Sequence, residues 1–126
     1  MERTGNLYIC GTPIGNLDDI TVRAVAVLKQ VNLIAAEDTR RTAKLLSNFE
    51  IDTPLTSYHE HNERKKAVDL INKIKEGNDI ALVSDAGMPC ISDPGYIIVE
   101  KAINMGIDVI PVPGPTALMS ALVVSG

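Results

Sequence analysis

Short runs of aliphatic residues alternate along the chain with longer stretches in which apolar residues recur at helical spacing. The aliphatic runs occupy residues 7–10, 33–36, 79–83 and 109–112, and a weaker run occupies residues 54–57. Runs of this length predict strands, and the stretches between them predict helices. The chain is therefore expected to alternate strand and helix along its whole length.

The helices are predicted from apolar spacing and from the residues at their ends. Asp18 or Asp19 is placed to cap the start of the first helix, and Gly77 stands where a C-terminal cap of the third is expected. The apolar faces of these two helices consist of Ile20, Ala24, Val27, Leu28 and Val31, and of Val68, Ile71 and Ile74. Further helices are predicted over residues 40–49, over residues 96–105 with Gly106 at the end, and from Thr116 to the end of the chain.

Strands that are apolar throughout are buried on both faces, as in a parallel sheet between two helix layers. We predict an α/β fold, an open doubly wound and mostly parallel sheet of about five strands with helices on both faces. Ligands of such sheets bind beyond the carboxyl ends of the strands. The loops at those ends are the first loop (residues 11–19), second loop (37–41), third loop (58–62), fourth loop (84–95) and fifth loop (113–115).

Composition limits the chain to one globular domain. It has 126 residues, of which 45% are hydrophobic and 22% charged, enough for one core and too few residues for two. Twelve Lys and Arg against sixteen Asp and Glu leave a net charge of −4, which disfavours a strongly basic nucleic-acid-binding domain. Any RNA partner is expected to meet local basic residues or another domain. Three Tyr, one Phe and no Trp disfavour binding by aromatic stacking.

The two cysteines and the chain start indicate the compartment. Cys10 and Cys90 lack the spacing of a disulfide framework or of a zinc site. The start does not resemble a signal peptide, and prolines interrupt the longest uncharged stretch, residues 109–126. We expect a soluble cytoplasmic protein with no membrane partner.

The first loop stands where a dinucleotide fingerprint or a phosphate loop would stand, but it has the sequence of neither. Pro13 replaces the second glycine of the fingerprint and has no N–H to offer a pyrophosphate, and Asn16 replaces the third. No Lys-Ser or Lys-Thr follows as a phosphate loop requires. The loop therefore favours an uncharged or cationic ligand portion packed against Pro13 and Ile14, or it is a tight turn chosen for geometry alone.

The fourth loop is too rich in Ser-Asp pairs, prolines and glycines to form a helix or a strand, and loops of this length are usually functional. Asp85 is predicted to accept hydrogen bonds from a ligand amine or hydroxyl. Asp93, just before Pro94, is predicted to cap the next helix. The fifth loop, Pro-Gly-Pro, forms a rigid wall before a helix that Thr116 can cap.

The second and third loops are polar. The second has two carboxylates and two guanidiniums within five residues, and the third has two imidazoles that can serve acid–base chemistry near neutral pH. Solvated charge and capping of a helix by Asp38 or Thr39 are the alternative. His59-Glu60-His61 lacks a third ligand of zinc type, so we expect no metal site.

Together these loops resemble the tetrapyrrole methylase family, and within it the bacterial enzymes that methylate the ribose 2′-hydroxyl of a cytidine in 16S rRNA. The motifs of the resemblance are residues 11–21, 36–40, 57–63, 84–95 and 112–117. They span essentially the whole chain in the same order as in the family.

The resemblance implies S-adenosylmethionine as methyl donor without a metal, 16S rRNA of the small ribosomal subunit as partner, and a homodimer. It implies that residues 1–126 are the N-terminal α/β domain of a two-domain methyltransferase whose C-terminal domain is absent from this chain. The positions that match the donor-site motifs are Pro13, Ile14, Asp85, Gly87, Met88, Thr116 and Ala117.

The polar loops at the same edge are predicted to serve the acceptor. Since a ribose hydroxyl is a poor nucleophile, a group that removes or orients its proton aids the transfer. The candidates for this group are Glu37, Asp38, His59 and Glu60, and the candidates for holding RNA phosphate are Arg40 and Arg41. Three alternatives remain: a relative that methylates a tetrapyrrole or another small molecule, a non-catalytic nucleotide-binding α/β module, and a structural remnant that only dimerises.

Overall fold

Strands and helices alternate in the computed structural model, which describes residues 3–90 and 95–126. The strands are β1 (Leu7–Cys10), β2 (Leu33–Ala36), β3 (Leu55–Ser57), β4 (Ile80–Val83) and β5 (Val109–Val112). The helices are α1 (Val22–Gln30), α2 (Thr39–Asn48), α3 (Glu63–Lys75), α4 (Tyr96–Asn104) and α5 (Ala117–Val124), and a short 3-10 helix (Leu17–Asp19) precedes α1.

The strands lie parallel in one sheet, in the order β3-β2-β4-β1-β5. Leu7 of β1 stands opposite both Ile80 of β4 and Val109 of β5. The chain passes from β1 across β4 to β2, and later from β4 back across β1 to β5. The connections of β1 and β4 thus leave in opposite directions, and the crevice between two such strands is where doubly wound sheets bind ligands.

Helices cover both faces of the sheet, which confirms the predicted fold. β4 is central, and all four of its residues are buried, as expected of a strand enclosed by two layers. On one face the core includes Leu70 and Ile74 of α3, Ile98 and Ala102 of α4, and Leu7, Ile80 and Leu82 of the sheet. On the other face it includes Leu28 of α1, Leu46 of α2, and Cys10, Ile34 and Val83 of the sheet.

Helix α1 begins later than predicted. Its N-cap is Thr21, whose Oγ1 accepts a hydrogen bond from Ala24 N at 3.0 Å. Asp18 and Asp19 lie in the separate 3-10 helix, which Asn16 caps. The prediction that Asp18 or Asp19 caps α1 is therefore wrong, because a short turn with its own cap stands between these carboxylates and the helix.

Helix α3 buries a slightly different face from the one predicted. Val68 is 47% exposed, so its placement on the apolar face is wrong. It lies about 100° round the helix from Ala67, and the buried residues are Ala67, Leu70, Ile71 and Ile74. Gly77, at φ +104°, follows the end of the helix as predicted.

Of the other predicted helix ends, Gly106 follows α4 at φ +74°, and Thr116 caps α5 through a bond from Met119 N to its Oγ1 at 3.2 Å. Both predictions are confirmed. The predicted cap at Asp93 lies outside the described residues.

Helix α5 is apolar and uncovered. The exposure of its large apolar residues ranges from 52% for Met119 to 84% for Val124, and none of its residues is buried. A helix that is hydrophobic all round is normally buried, so α5 presents an apolar surface that the described residues leave open. No helix of the described chain, α5 included, is long and apolar enough to cross a membrane.

Cys10 makes the folded chain sensitive to alkali. The side chain is fully buried, and burial raises the pKa of its thiol to about 12 from the ordinary 9.0. Above pH 9 the unfolded chain loses this proton while the folded chain keeps it, so this contribution to stability is intact below pH 9 and is lost as the pH rises. We expect the free energy of unfolding to fall by up to about 1.4 kcal/mol per pH unit from this group.

The measurement is urea unfolding at pH values from 8 to 11. Cys10→Ala should lower stability at every pH because it removes a buried group, but it should flatten the decline above pH 9. Cys90→Ala, at a half-buried position, is the control. If the free energy of unfolding falls equally steeply with pH in the unaltered protein and in Cys10→Ala, the decline does not come from Cys10.

Candidate active site

The first and fourth loops are joined side by side beyond β1 and β4. Thr12 N donates to Gly87 O and Gly87 N donates to Thr12 O, each at 3.0 Å. Thr12 is 1% exposed, and its Oγ1 lies 3.4 Å from Ser84 O. Ser84 Oγ in turn donates to Ala86 O at 3.0 Å. These bonds hold the two loops together at the crevice where the strand connections diverge.

The fifth loop contacts the first loop at a pair of glycines. Gly11 N donates to Val112 O at 3.0 Å. A Cβ on Gly11 would stand 2.7 Å from Gly114 Cα and 2.9 Å from Met88 Sδ. The two backbones therefore approach more closely than any side chain at residue 11 would allow.

Gly87 closes the contact among all three loops. It has φ +76°, and a Cβ there would lie 3.3 Å from Ile14 Cγ2 and 3.4 Å from Pro115 O. The prediction that these loops gather along one edge of the sheet is confirmed.

A cavity of about 430 Å³ opens between the first loop and α2, next to this contact. Its volume lies in the range of small-molecule sites. The first loop lines it with Thr12, Pro13, Ile14, Gly15, Asn16 and Leu17, helix α2 with Arg41, Thr42, Lys44, Leu45 and Asn48, and the fourth loop with Ser84, Asp85 and Ala86.

Asp85 links the fourth loop to the second. Its Oδ1 accepts a hydrogen bond from Asp38 N at 3.1 Å, and its Oδ2 lies 3.8 Å from Arg41 Nη1. Its own N–H donates to Glu37 Oε1 at 3.4 Å. Asp38 caps α2, with Oδ1 2.9 Å from Arg40 N. Because Asp85 is 28% exposed, its carboxylate serves this network and still reaches the cavity.

The third loop is a compact turn anchored by Tyr58. The Tyr58 side chain is 1% exposed, its N–H donates to Ala36 O at 2.8 Å, and burial raises the pKa of its hydroxyl, with Glu63 adding to the effect. His59 N donates to Asn62 Oδ1 at 2.9 Å, and His59 Nδ1 accepts from His61 N at 3.3 Å. That last bond engages Nδ1 of His59 as an acceptor and leaves Nε2 as the other polar atom of the ring.

The structure brings most, but not all, of the predicted site residues together. The residues around the glycine contact and the cavity are Pro13, Ile14, Asp85, Gly87 and Met88. Thr116 and Ala117 directly follow the fifth loop. Asp85 links Glu37, Asp38 and Arg41 to this group through its hydrogen bonds and its ion pair. His59 and Glu60 do not line the cavity. Arg40 lies on the other side of α2, over a shallow depression beside β3, so the two arginines do not act at one place.

Sequence reasoning missed Thr12 and the α2 wall of the cavity. Thr12 joins the first and fourth loops, and the wall includes Lys44 and Asn48. A signal for the wall exists, because residues 41, 44, 45 and 48 recur at the spacing of one helix face. Thr12 has no comparable local signal, since its partners are over 70 residues away.

The site offers a phosphate-free ligand a suitable surface. In the cavity Pro13 offers no N–H, Ile14 supplies apolar contact and Asp85 supplies a carboxylate. Met88 supplies a further apolar group beside the glycine contact. Within residues 3–90 and 95–126, no group of three or more His, Cys, Asp or Glu side chains is placed to hold a metal ion.

Comparison with known proteins points to one family. The family model described as Tetrapyrrole (Corrin/Porphyrin) Methylases matches residues 6–126. Ribosomal RNA small subunit methyltransferase I is 58% identical over 122 residues in Halalkalibacterium halodurans and 56% in Thermotoga maritima, covering 97% of this chain in each case. The chain covers 42% and 55% of those relatives, so it spans about half the length of the curated proteins it matches.

Solved structures share the fold at low sequence identity. Uroporphyrin-III-C-methyltransferase from Thermus thermophilus superimposes with a TM-score of 0.73 at 22% identity, covering 94% of this chain and 50% of that one. A cobalamin-synthesis-related protein from Corynebacterium diphtheriae gives 0.72 at 22% identity, covering 96% and 58%.

Proposed function

Because the chain belongs to the tetrapyrrole methylase family, we propose that the protein transfers a methyl group from S-adenosylmethionine to the ribose 2′-hydroxyl of a cytidine in 16S rRNA. The observation that carries the proposal is the junction of the first, fourth and fifth loops at the crevice between β1 and β4. The name of the relatives, Ribosomal RNA small subunit methyltransferase I, supports the acceptor.

The proposal also covers the domain organisation, the compartment and the oligomeric state of the full-length protein. Residues 1–126 form the N-terminal domain of a cytoplasmic two-domain methyltransferase, which acts on the small ribosomal subunit as a homodimer. The half-length match to the relatives supports the second domain. The uncovered apolar surface of α5 supports the dimer, because burying it against a second copy removes apolar area from water. Sedimentation of the full-length protein at twice its monomer mass is the expected result.

The donor fits the residues around the glycine contact. When bound, S-adenosylmethionine supplies an electrophilic methyl group on a positively charged sulfur. Pro13, Ile14 and Met88 offer apolar contact, and Pro13 has no N–H to offer a phosphate. Asp85 offers an acceptor for hydroxyl or amino groups of the donor. In-line transfer depends chiefly on such positioning.

Among the four candidates for the base, the contacts favour Glu37. It touches the Asp85 backbone at the edge of the cavity. Asp38 is engaged as a helix cap, and His59 does not line the cavity and has its Nδ1 engaged by His61 N. Glu60 lies at the surface beside His61, with 77% of its side chain exposed. We therefore assign Glu37 the removal or orientation of the 2′-hydroxyl proton.

The test is methyl incorporation into 30S particles by the full-length protein and by Glu37→Ala, Asp38→Ala, His59→Ala and Glu60→Ala. We expect Glu37→Ala to lose at least about 100-fold in rate, the usual contribution of a general base, and Glu60→Ala to change little. Full activity in every variant would remove the base assignment.

Calorimetry and alternative acceptors test the wider proposal. The protein should bind S-adenosylmethionine more tightly than ATP or NAD. Tighter binding of ATP or NAD would favour a nucleotide-binding module instead, and methylation of a tetrapyrrole in place of 30S RNA would overturn the acceptor.

A further inference from the structure

The α2 wall of the cavity has one positive charge, on Lys44, without a carboxylate partner among the described residues. Arg41 and Lys44 stand three residues apart on the face of α2 that lines the cavity, and Asn48 follows one turn later. Arg41 is paired with Asp85. Lys44 is exposed and forms no ion pair within residues 3–90 and 95–126. Its ammonium group is therefore available to a ligand.

The opposite wall is uncharged. The first-loop residues that line the cavity, from Thr12 to Leu17, include no ionisable side chain. Among the described residues that line the cavity, the one carboxylate is Asp85, which already faces the Arg41 guanidinium. In a chain with a net charge of −4, this cavity thus combines an unopposed cation on one wall with polar and apolar groups on the other.

This charge suits a phosphate, which is attracted to the ammonium group as to a point charge. The methyl donor contains no phosphate, its sulfonium and amino groups are cationic, and its one carboxylate is the only part of it that Lys44 can attract. Under the proposed function the other reactant is an RNA strand, which has a phosphate at every nucleotide and therefore matches this charge better.

We propose that Lys44 contacts a backbone phosphate of the acceptor RNA, in a subsite between α2 and the first loop that adjoins the donor position. The inference rests on the proposed function and adds a positioning residue to it. It places the RNA strand on the α1–α2 side of the sheet, along Arg41 and Lys44, and away from the depression beneath Arg40.

The test compares Lys44→Gln with Lys29→Gln in the full-length protein. Lys29 is an exposed lysine in the last turn of α1, outside the cavity. Binding of a single-stranded, cytidine-containing RNA oligonucleotide is measured at several salt concentrations. Lys44→Gln should lose one phosphate contact. The plot of log K, the association constant for the RNA, against the logarithm of the salt concentration should then be shallower by about 0.7, which corresponds to about fivefold weaker binding at 0.1 M salt. Lys29→Gln should match the unaltered protein.

Two further readouts separate the outcomes. Titration with S-adenosylmethionine should give the same affinity in both variants, and methyl transfer by Lys44→Gln should show a raised KM for RNA with kcat retained. If Lys44→Gln keeps the salt slope of Lys29→Gln while both methylate RNA, the inference is wrong and the proposed function stands. If the unaltered protein methylates no RNA, both are overturned.

Discussion

Replacing Gly11 with alanine is expected to lower the rate of methyl transfer by about 100-fold, the scale of loss that a displacement of about 1 Å at a reacting centre causes. The new Cβ would lie 2.7 Å from Gly114 Cα and 2.8 Å from Gly114 N. These are backbone atoms, so the clash cannot be relieved by turning a side chain. The first and fifth loops must separate, and the residues proposed to hold the donor separate with them.

Stability should also fall, by about 1–3 kcal/mol, as is typical of overpacking. The matched control is Gly5→Ala, which lies before β1 at the opposite edge of the sheet. A Cβ there would overlap the carbonyl oxygen of Asn78, so this variant is also destabilised but leaves the loops in place. Donor affinity measured by calorimetry on folded protein should drop in Gly11→Ala alone. Unchanged donor affinity in Gly11→Ala would separate the glycine contact from the donor site.

Replacing Asp85 with alanine is expected to lower methyl transfer by about 10-fold to 100-fold. The substitution removes the acceptor for Asp38 N at 3.1 Å and the partner of Arg41 at 3.8 Å. A hydrogen bond to a charged group contributes about 1.5–3 kcal/mol, which corresponds to this range of rates. The position of Glu37 is expected to change as well, since its contact to Asp85 N depends on the course of the fourth loop.

Asp85→Asn and Asp79→Ala complete the experiment. Asparagine keeps an oxygen for Asp38 N and loses the charge, so its activity should lie between those of the unaltered protein and Asp85→Ala. Asp79 accepts a hydrogen bond from Asn6 N at 2.8 Å at the other edge of the sheet. Its removal should reduce stability without changing the KM for the donor. An Asp85→Ala enzyme with normal kcat and KM would show that this carboxylate is structural only.

The strands were predictable because burial on both faces leaves an unbroken aliphatic run, as in β4, where all four residues are buried. The edge strand β3 is half-buried, and its run is accordingly weaker. The residue that caps the start of helix α1 was less predictable. Asp18, Asp19 and Thr21 are all good capping residues, and only the turn before α1 decides among them.

The site was predictable as a set of loops but not as a set of contacts. Parallel strands bring their carboxyl ends to one edge whatever the loops contain. The pairing of Thr12 with Gly87 and the approach of Gly11 to Gly114 join residues about 75 and 100 positions apart, and no local pattern specifies them. Likewise Arg40 and Arg41 are neighbours in sequence, and only the direction of α2 shows that they face different surfaces.

The order β3-β2-β4-β1-β5 also governs when the site can form during synthesis. β1 pairs with β4 and β5, so its two hydrogen-bonding edges lack these partners until some 70 to 100 further residues have left the ribosome. Such non-local pairing slows folding and prolongs the exposure of apolar strands. The junction of the first, fourth and fifth loops is therefore assembled only after β5 has been translated.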